Sequence, residues 1–273
     1  MMKGQGDKMG KFEKIVKDIK SVKIQGATEI AKSALKAYFI IPTEKTKKKL
    51  VSLRPTEPLL ANVMKMAGKK PKKEIISHLA DSEKLISKNS MKVIKNKSVI
   101  FTHCHSTTVV GALAYAKKHG KKFEVYNTET RPLYQGRKTA NDLRKERIKV
   151  TFFVDSGMHI AIKKADAVIL GADALLKKGI INKIGSNVAA EIARNHRKPL
   201  YIFADSWKFY PKSIRMEERD FHEVWKRLPK KSRIKVMNPA FEFVPKKYIT
   251  KIVSELGVLS YDKFLQRIKK DKR

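Results

Sequence analysis

The sequence has very little cysteine and no long apolar runs. Cys104 is the only cysteine in 273 residues, which excludes an internal disulfide and a small fold built on disulfides. The apolar runs are all shorter than the roughly 20 residues that a membrane-spanning helix needs. The opening segment MMKGQGDKMG is polar and lacks the apolar stretch of a secretory signal. These absences predict a cytoplasmic protein without a membrane anchor.

Acidic residues are also scarce relative to basic ones. The chain has 26 Asp and Glu against 62 Lys and Arg, so its formal net charge is +36. A large basic excess is most often used to neutralise the phosphates of nucleic acids. Here the excess is spread over the whole chain, and the dense clusters at 45–49 and 69–73 contain no aromatic residues to stack on bases. The distribution favours a generally basic surface over a dedicated nucleic-acid site, and nucleic-acid binding stays open.

The first third of the sequence has a helical pattern. Hydrophobic residues recur there at a spacing of three and four, which is typical of amphipathic helices. The patterned stretches are 12–22, 30–39, 59–66 and 75–93. Gly26 separates the first two, and prolines separate the later ones. We therefore expect residues 1–97 to form an N-terminal helical domain.

From Ser98 onward the hydrophobic pattern changes. Short β-branched and aromatic runs appear, and most are followed by a helical pattern. The predicted strands are 99–101, 123–126, 150–154, 167–170 and 200–203. Strands that alternate with helices are typical of a parallel sheet with right-handed crossovers. The predicted fold class is therefore α/β, with a Rossmann-like domain over residues 98–273 after the helical domain.

Cys104 lies in a loop that directly follows a predicted strand. Ligands of parallel sheets bind at the carboxyl ends of the strands, and the helix after this loop would favour a thiolate through its N-terminal dipole. The alternative is that Cys104 is a small, buried residue without a chemical role. His103 and His105 flank the cysteine, but their side chains should diverge, and no second cluster of Cys or His completes a tetrahedral metal site. No metal is expected.

Asp173 follows the fourth predicted strand and should face the same edge of the sheet. Its apolar neighbours would desolvate the carboxyl, which raises the pKa and keeps a proton available for general acid catalysis. The alternative is a helix cap or a turn residue. The next segment, 179–185, predicts a turn that carries Asn182, the cation Lys183 and free backbone amides before a helix. Such an arrangement suits an anion such as phosphate.

Eight segments of the chain resemble motifs of one known family. They are IQGATEIA (24–31), RPTEPLLANVM (54–64), FTHCHS (101–106), TETRPLYQG (128–136), VDSG (154–157), GADALLKKGIINKIGS (171–186), DSWKF (205–209) and NPAFEFVP (238–245). In this order they are similar to the family that unites the alpha, beta and delta subunits of eukaryotic initiation factor 2B, their archaeal relatives, methylthioribose-1-phosphate isomerase and ribose-1,5-bisphosphate isomerase. The resemblance spans nearly the whole chain.

The resemblance implies roles for individual residues. In the isomerases of the family, the cysteine and the aspartate of these loops are the catalytic pair, and Cys104 and Asp173 stand at their positions. By the same match, substrate-binding roles are implied for Gly26, Ala27, Arg54, Gln135, Asn182 and Lys183. Arg54 resembles an arginine that holds the substrate phosphate, and Asn182 and Lys183 resemble a pair that orients the sugar. Gln25 stands where the family usually has an arginine, so one cation of that pattern is missing.

The implied activity is an aldose–ketose isomerisation of ribose 1,5-bisphosphate to ribulose 1,5-bisphosphate in nucleotide salvage, without metal or organic cofactor. Asp173 would protonate the ring oxygen and Cys104 would remove the proton at C2. A hydride shift from C2 to C1 is the alternative route. The family leaves two other functions open: a non-catalytic regulatory protein that binds initiation factor 2 or a nucleotide, and methylthioribose-1-phosphate isomerase.

A homo-oligomer, either a dimer or a hexamer, is also expected from the family. The segment 238–241 and the C-terminal apolar residues would supply its contact surface, because they exceed what one small sheet needs. The alternative is that the same residues simply cover the sheet. Those C-terminal residues are Tyr248, Ile249, Ile252 and Leu256.

Overall fold

The computed structural model describes residues 2–24, 26–214, 216–229 and 233–271. Gln25, at which the sequence departs from the family pattern, lies outside the described residues. The described part begins with helices and continues with a mostly parallel sheet, so the predicted α/β fold class is confirmed. None of its helices has the length and apolar character needed to cross a bilayer.

The N-terminal part consists of helices α1 (Met2–Lys20), α2 (Ala27–Ile40), α3 (Glu44–Ser52), α4 (Pro58–Met66) and α5 (Lys72–Ser90). The hydrophobic spacing predicted four of these five. Helix α3 was missed because it buries only Thr46 and Leu50 and is otherwise rich in lysine. Its start is fixed by Thr43, whose side chain accepts a hydrogen bond from the backbone N–H of Thr46, as an N-cap residue does.

Helix α5 connects the two parts of the molecule. The core of helices α1 to α4 extends to Ile75 and Leu79 at the beginning of α5. Ile86, near the end of α5, instead packs in a cluster with Val109 and Val125 of the α/β part. Burial of these apolar residues holds the helices against the sheet. The division into domains 1–97 and 98–273 stays a prediction.

The main sheet has seven strands in the order β10-β9-β7-β4-β1-β2-β3. Its strands are β1 (Ser98–Thr102), β2 (Phe123–Thr128), β3 (Lys149–Phe153), β4 (Ala167–Leu170), β7 (Leu200–Phe203), β9 (Lys251–Ser254) and β10 (Gly257–Leu259). The helices between them are α6 (Thr107–Lys118), α7 (Gln135–Lys145), α8 (Met158–Lys164) and α9 (Ser186–Asn195). All pairings are parallel except that of β10 with β9. The loops after β1, β2, β3, β4 and β7 therefore share one edge.

A second, antiparallel sheet lies beside this edge. It contains β5 (Ala174–Leu175), β6 (Gly179–Lys183) and β8 (Phe241–Pro245). The prediction of a turn at 179–183 is therefore wrong, because these residues form a buried strand. A Cβ atom at Gly179 would collide with the carbonyl oxygen of Val244, so the close pairing with β8 requires glycine. The turn lies at Gly185, which has a φ of +98° and precedes α9.

The predicted contact surface at the C-terminus is also wrong. Ile249 and Ile252 are buried in the main core, and Tyr248 and Leu256 pack against it. The reason is that β9 extends the sheet beside β7, so its apolar residues are needed to cover the sheet. Helix α10 (Tyr261–Asp271) then packs on the same core. In the segment 238–241, the residues Asn238, Ala240 and Phe241 are buried as well.

Candidate active site

One cleft lies where the loops at the carboxyl edge of the main sheet meet the N-terminal helices. It is lined by all eight residues that the sequence singled out, namely Gly26, Ala27, Arg54, Cys104, Gln135, Asp173, Asn182 and Lys183. The first three come from the start of α2 and the segment before α4, and the others come from the α/β part. The cleft is therefore assembled from both parts of the chain.

The loop after β1 holds Cys104 in a left-handed backbone conformation with a φ of +67°. Such a conformation costs a non-glycine residue on the order of 1–3 kcal/mol and needs support from its surroundings. The backbone N–H of Cys104 donates to Thr130 Oγ1 at 3.0 Å, and its carbonyl accepts from Thr139 Oγ1 at 2.9 Å. Two threonines from neighbouring elements thus fix the cysteine at the cleft.

The expectation of a low thiol pKa is wrong for this structure. Burial raises the pKa of Cys104 to about 12, and the nearby carboxyl of Asp173 also raises it, whereas the cation of Lys183 lowers it. The N-cap of α6 is Ser106, so Cys104 precedes the helix by a loop residue. Dehydration of the anion therefore outweighs the helix dipole. A pKa of about 12 favours the neutral thiol near neutral pH.

Asp173 begins the small hairpin, and its backbone N–H donates to the carbonyl of Ile181 at 2.9 Å. Burial raises the pKa of its carboxyl above the usual value, in the direction that the apolar neighbours predicted. The cations Lys208, Arg54 and Lys183 oppose this effect, in that order. The carboxyl is therefore set up to hold a proton in the cleft.

Four cationic side chains line the same cleft, and two of them were not predicted from the sequence. Arg54 and Lys183 were expected there, whereas Lys208 and Arg219 were not. Lys208 Nζ donates to the carbonyl of Ala172 at 2.7 Å, next to Asp173. Its position in the DSWKF motif could have identified it, but no pattern marks Arg219. Together these cations make the cleft suitable for a polyanion.

Several polar atoms of the cleft are buried without a hydrogen-bond partner. They are Arg54 Nε and Nη1, Glu57 Oε2 and Gln135 Oε1. Buried polar groups in proteins are almost always hydrogen-bonded. All three side chains line the cleft, so a ligand with anionic oxygens that accept from Arg54 and with hydroxyl groups that donate to Gln135 would satisfy these side chains.

The two histidines beside Cys104 have different partners. His103 is buried, and its Nε2 donates to the carbonyl of Ile184 at 2.8 Å while Nδ1 pairs with Thr128 Oγ1 at 2.5 Å. His105 pairs with Thr139 Oγ1 at 3.0 Å. Burial lowers both pKa values, that of His105 to about 4. The rings diverge as predicted, and each connects the cysteine loop to a neighbouring element.

One other group of described residues could hold a metal ion. Ligand atoms of His78, Asp205 and Glu255 lie within 4.8 Å of one another, outside the residues that line the cleft. Asp205 Oδ1 already accepts from the backbone N–H of Trp207 at 2.7 Å, and the Glu255 carboxylate accepts from that of Ser206. These hydrogen bonds give both carboxylates a structural role, because they satisfy the backbone N–H groups of the loop after β7.

The fold and the cleft define a class of protein. The chain is an α/β protein with a cationic cleft at the carboxyl edge of a parallel sheet, and the cleft contains a thiol and a carboxyl with a raised pKa. Residues 62–261 match the model of the initiation factor 2 subunit family. The chain belongs to this family, as the motifs predicted.

Relatives of different function are similar to this chain. Ribose 1,5-bisphosphate isomerase of Methanocaldococcus jannaschii is 36% identical, over 88% of this chain and 89% of the relative. A putative translation initiation factor eIF-2B subunit 2-like protein of Pyrococcus furiosus is 29% identical, over 91% and 96%. The crystal structure of translation initiation factor eIF-2B of Pyrococcus horikoshii OT3 has a TM-score of 0.80 at 25% identity, covering 91% of this chain and 96% of that one.

Proposed function

We propose that this protein is an aldose–ketose isomerase that converts ribose 1,5-bisphosphate into ribulose 1,5-bisphosphate. The observation that carries the proposal is that Cys104 and Asp173 line one cleft together with four cations. The substrate has two phosphates, which match these cations in charge. The relative from Methanocaldococcus jannaschii, which bears the name of this activity, supports the choice of substrate.

The chemistry requires an acid and a base at adjacent atoms of the sugar. The phosphate on C1 blocks ring opening through the anomeric hydroxyl, so the ring oxygen must be protonated as its bond to C1 breaks. Asp173 holds the proton for this step. Loss of the C2 proton to the Cys104 thiolate then forms a C1–C2 enol. Return of a proton from Cys104 to C1 and loss of the O2 proton to the Asp173 carboxylate yield the 2-keto sugar phosphate and restore both groups. Arg54, Lys183 and Lys208 neutralise the phosphates and the developing negative charge.

The high pKa of Cys104 bears on the choice between the two routes. A thiol must lose its proton before it can act as a base, and Lys183 is the cation that favours this loss. A hydride shift from C2 to C1 needs no thiolate. Substrate that carries deuterium at C2 separates the routes, because a hydride shift keeps the label in the product and proton transfer through the thiol exchanges it with water.

The decisive experiment is a turnover assay of the purified protein. We expect conversion of ribose 1,5-bisphosphate, and none of ribose 5-phosphate, which lacks the phosphate on C1. Methylthioribose 1-phosphate is assayed in parallel, because conversion of that sugar alone would reassign the substrate. Inactivity towards both phosphorylated sugars would overturn the proposal.

The alternative function is a regulatory protein that binds initiation factor 2 or a nucleotide. It is supported by the relative from Pyrococcus furiosus, which is named as an initiation factor 2B-like subunit. Binding of initiation factor 2 by a protein that is inactive towards both sugar phosphates would favour this alternative. A nucleic-acid partner is less favoured, because the basic excess of the sequence is spread over the whole chain.

Arg54→Ala should mainly raise KM. Arg54 holds phosphate equally in the ground state and the transition state, so its loss removes uniform binding and leaves kcat nearly unchanged. A hydrogen bond to a charged group contributes about 1.5–3 kcal/mol, which corresponds to a rise in KM of about tenfold to a hundredfold. Steady-state kinetics over a range of substrate concentrations up to saturation measure both constants. Arg54→Lys is the matched control, and an unchanged KM in Arg54→Ala would contradict this role.

We expect a homo-oligomer, with a contact surface other than the C-terminal residues. The strand β3 is an edge of the main sheet, and the exposed apolar residues Phe152, Val154 and Ile160 lie on it and shortly after it. An apolar edge of this kind is a site of association. Light scattering should give a mass above the 31.2 kDa of one chain, and Ile160→Lys should lower it. A single-chain mass at every protein concentration would contradict the expectation.

A further inference from the structure

Glu57 is a buried carboxyl of the cleft that the proposed reaction does not use. It is 3% exposed and occupies the N-cap position of α4 without making a capping hydrogen bond. Its Oε1 lies 3.7 Å from Arg54 Nη2, and its Oε2 is buried without a partner. Burial of a carboxyl without hydrogen bonds is unfavourable, so a binding partner is expected for Glu57.

Arg54 alone does not satisfy the Glu57 carboxyl. The distance of 3.7 Å exceeds that of a charge-assisted hydrogen bond, and two nitrogens of Arg54 are unpaired as well. Glu217 is the second acid near Arg54, with Oε2 at 3.8 Å from Nη2. Arg54 and Glu57 therefore lie side by side in the cleft, and each has polar atoms left to bind something else.

An oxyanion would satisfy the free nitrogens of Arg54, but an ionised Glu57 beside it would repel that oxyanion. A protonated carboxyl would instead donate a hydrogen bond to it. We propose that Glu57 is a phosphate-binding residue that acts in its protonated form, with its Oε2 hydroxyl donating to the phosphate that Arg54 holds. The phosphate is that of the sugar in the proposed function, so in this respect the inference rests on that function.

The groups around Glu57 favour the protonated form. Its pKa is raised to about 8, chiefly by burial and then by the charges of Asp173 and Glu217, against the opposing charges of Arg54 and Lys208. These four groups face Glu57 from its own segment, from the loops after β4 and β7, and from the segment before β8. The protonated form is thus favoured near neutral pH, so Glu57 does not add to the negative charge that Glu217 already places beside Arg54.

Sulfate is the probe for this inference, because it remains a dianion while Glu57 titrates. Wild-type protein and Glu57→Gln are titrated with sulfate by calorimetry from about pH 7 to about pH 9. In the wild type, sulfate must bind together with a proton above a pKa of about 8, whereas glutamine is always a neutral donor. The dissociation constant of the wild type relative to Glu57→Gln should therefore rise about tenfold across this range.

Proton uptake gives a second readout of the same linkage. Binding enthalpies in two buffers of different ionisation enthalpy should show close to one more proton taken up per sulfate at about pH 9 in the wild type than in Glu57→Gln. Loss of charge on Lys183 at high pH affects both proteins equally and cancels in the comparison. Glu255→Gln is the matched control, because Glu255 is another buried carboxyl with a raised pKa and it lies outside the cleft. It should titrate like the wild type.

A purely structural Glu57 predicts other results. If it only neutralises Arg54 as an anion, Glu57→Gln should bind sulfate more tightly by a constant factor at every pH, and this result would overturn the inference. Absence of sulfate binding by the wild type would also overturn it. Thermal unfolding checks that Glu57→Gln is folded, and Glu57→Ala should bind sulfate more weakly than Glu57→Gln at neutral pH because it lacks the donor.

The outcomes separate this inference from the proposed function. Sulfate binding linked to Glu57 in a protein that converts no sugar phosphate would leave the phosphate site standing and remove the isomerase. Turnover of ribose 1,5-bisphosphate without linkage to Glu57 would leave the isomerase standing and overturn the inference. If both stand, the KM of the wild type should rise above about pH 8, and that of Glu57→Gln should lack this rise.

Discussion

Cys104→Ser should lower kcat for ribose 1,5-bisphosphate by about 10²- to 10⁴-fold, the usual contribution of a positioned acid or base. Serine keeps the shape of the side chain, but its hydroxyl is a much weaker acid than a thiol and cannot form the anion that removes the C2 proton. Substrate affinity should change little, because the cations that hold the phosphates remain. Single-turnover kinetics and direct binding measurements test the two statements separately.

The single cysteine also allows a chemical control. A thiol-alkylating reagent can modify only Cys104, and the reaction should be slow near neutral pH because a pKa of about 12 keeps the group protonated. Bound substrate should protect it. Cys104→Ala separates the loss of the sulfur from any effect of the serine hydroxyl. Full activity of Cys104→Ser would end the proposed role of this residue.

Asp173→Asn should lower kcat by a similar factor. Asparagine preserves the size of the side chain and leaves the backbone hydrogen bond to Ile181 intact, but its amide is too weak an acid to protonate the ring oxygen. In the wild type, kcat should fall as pH rises through the raised pKa of Asp173, because the acid must be protonated to work. A pH profile of the two proteins tests this difference, and the variant should lack that decrease.

A matched control for this variant is Asp166→Asn. Asp166 accepts a hydrogen bond from the backbone N–H of Val99 at the start of β1, at the edge of the sheet opposite the cleft. Its replacement should leave kcat unchanged. The double variant of Cys104 and Asp173 should be hardly slower than either single variant, because both act in one reaction. Additive losses would mean that the two residues act in independent steps.

Local patterns predicted the elements whose burial is visible in a short window. Strands β4 and β7 were placed at their observed residues, because 167–170 is an apolar run between Asp166 and Gly171, and 200–203 is one that follows Pro199 and ends shortly before Asp205. Strand β6 was not predicted, since Gly179 is buried only through pairing with β8, about sixty residues later in the chain. Such long-range pairing leaves no local periodicity.

The same distinction between local and long-range effects applies to the site. The positions of Cys104 and Asp173 followed from the rule that loops at the carboxyl ends of parallel strands share one edge. The thiol pKa did not follow, because it depends on the surroundings that the folded chain gives Cys104. Glu57 and Arg219 also went unnoticed, since nothing in their sequence surroundings shows that they are buried in the cleft.

The composite origin of the cleft links ligand binding to the cohesion of the molecule. Gly26 and Arg54 come from the helical part, whereas Asp173 and Lys208 come from the α/β part, and all four line the cleft. A ligand that contacts both parts binds only while they are packed together, so its binding stabilises their association. At a concentration of about one hundred times Kd, such a ligand adds about 2.7 kcal/mol to that cohesion. The concentration of sugar phosphate would then affect the stability of the folded protein as well as the rate at which it converts substrate.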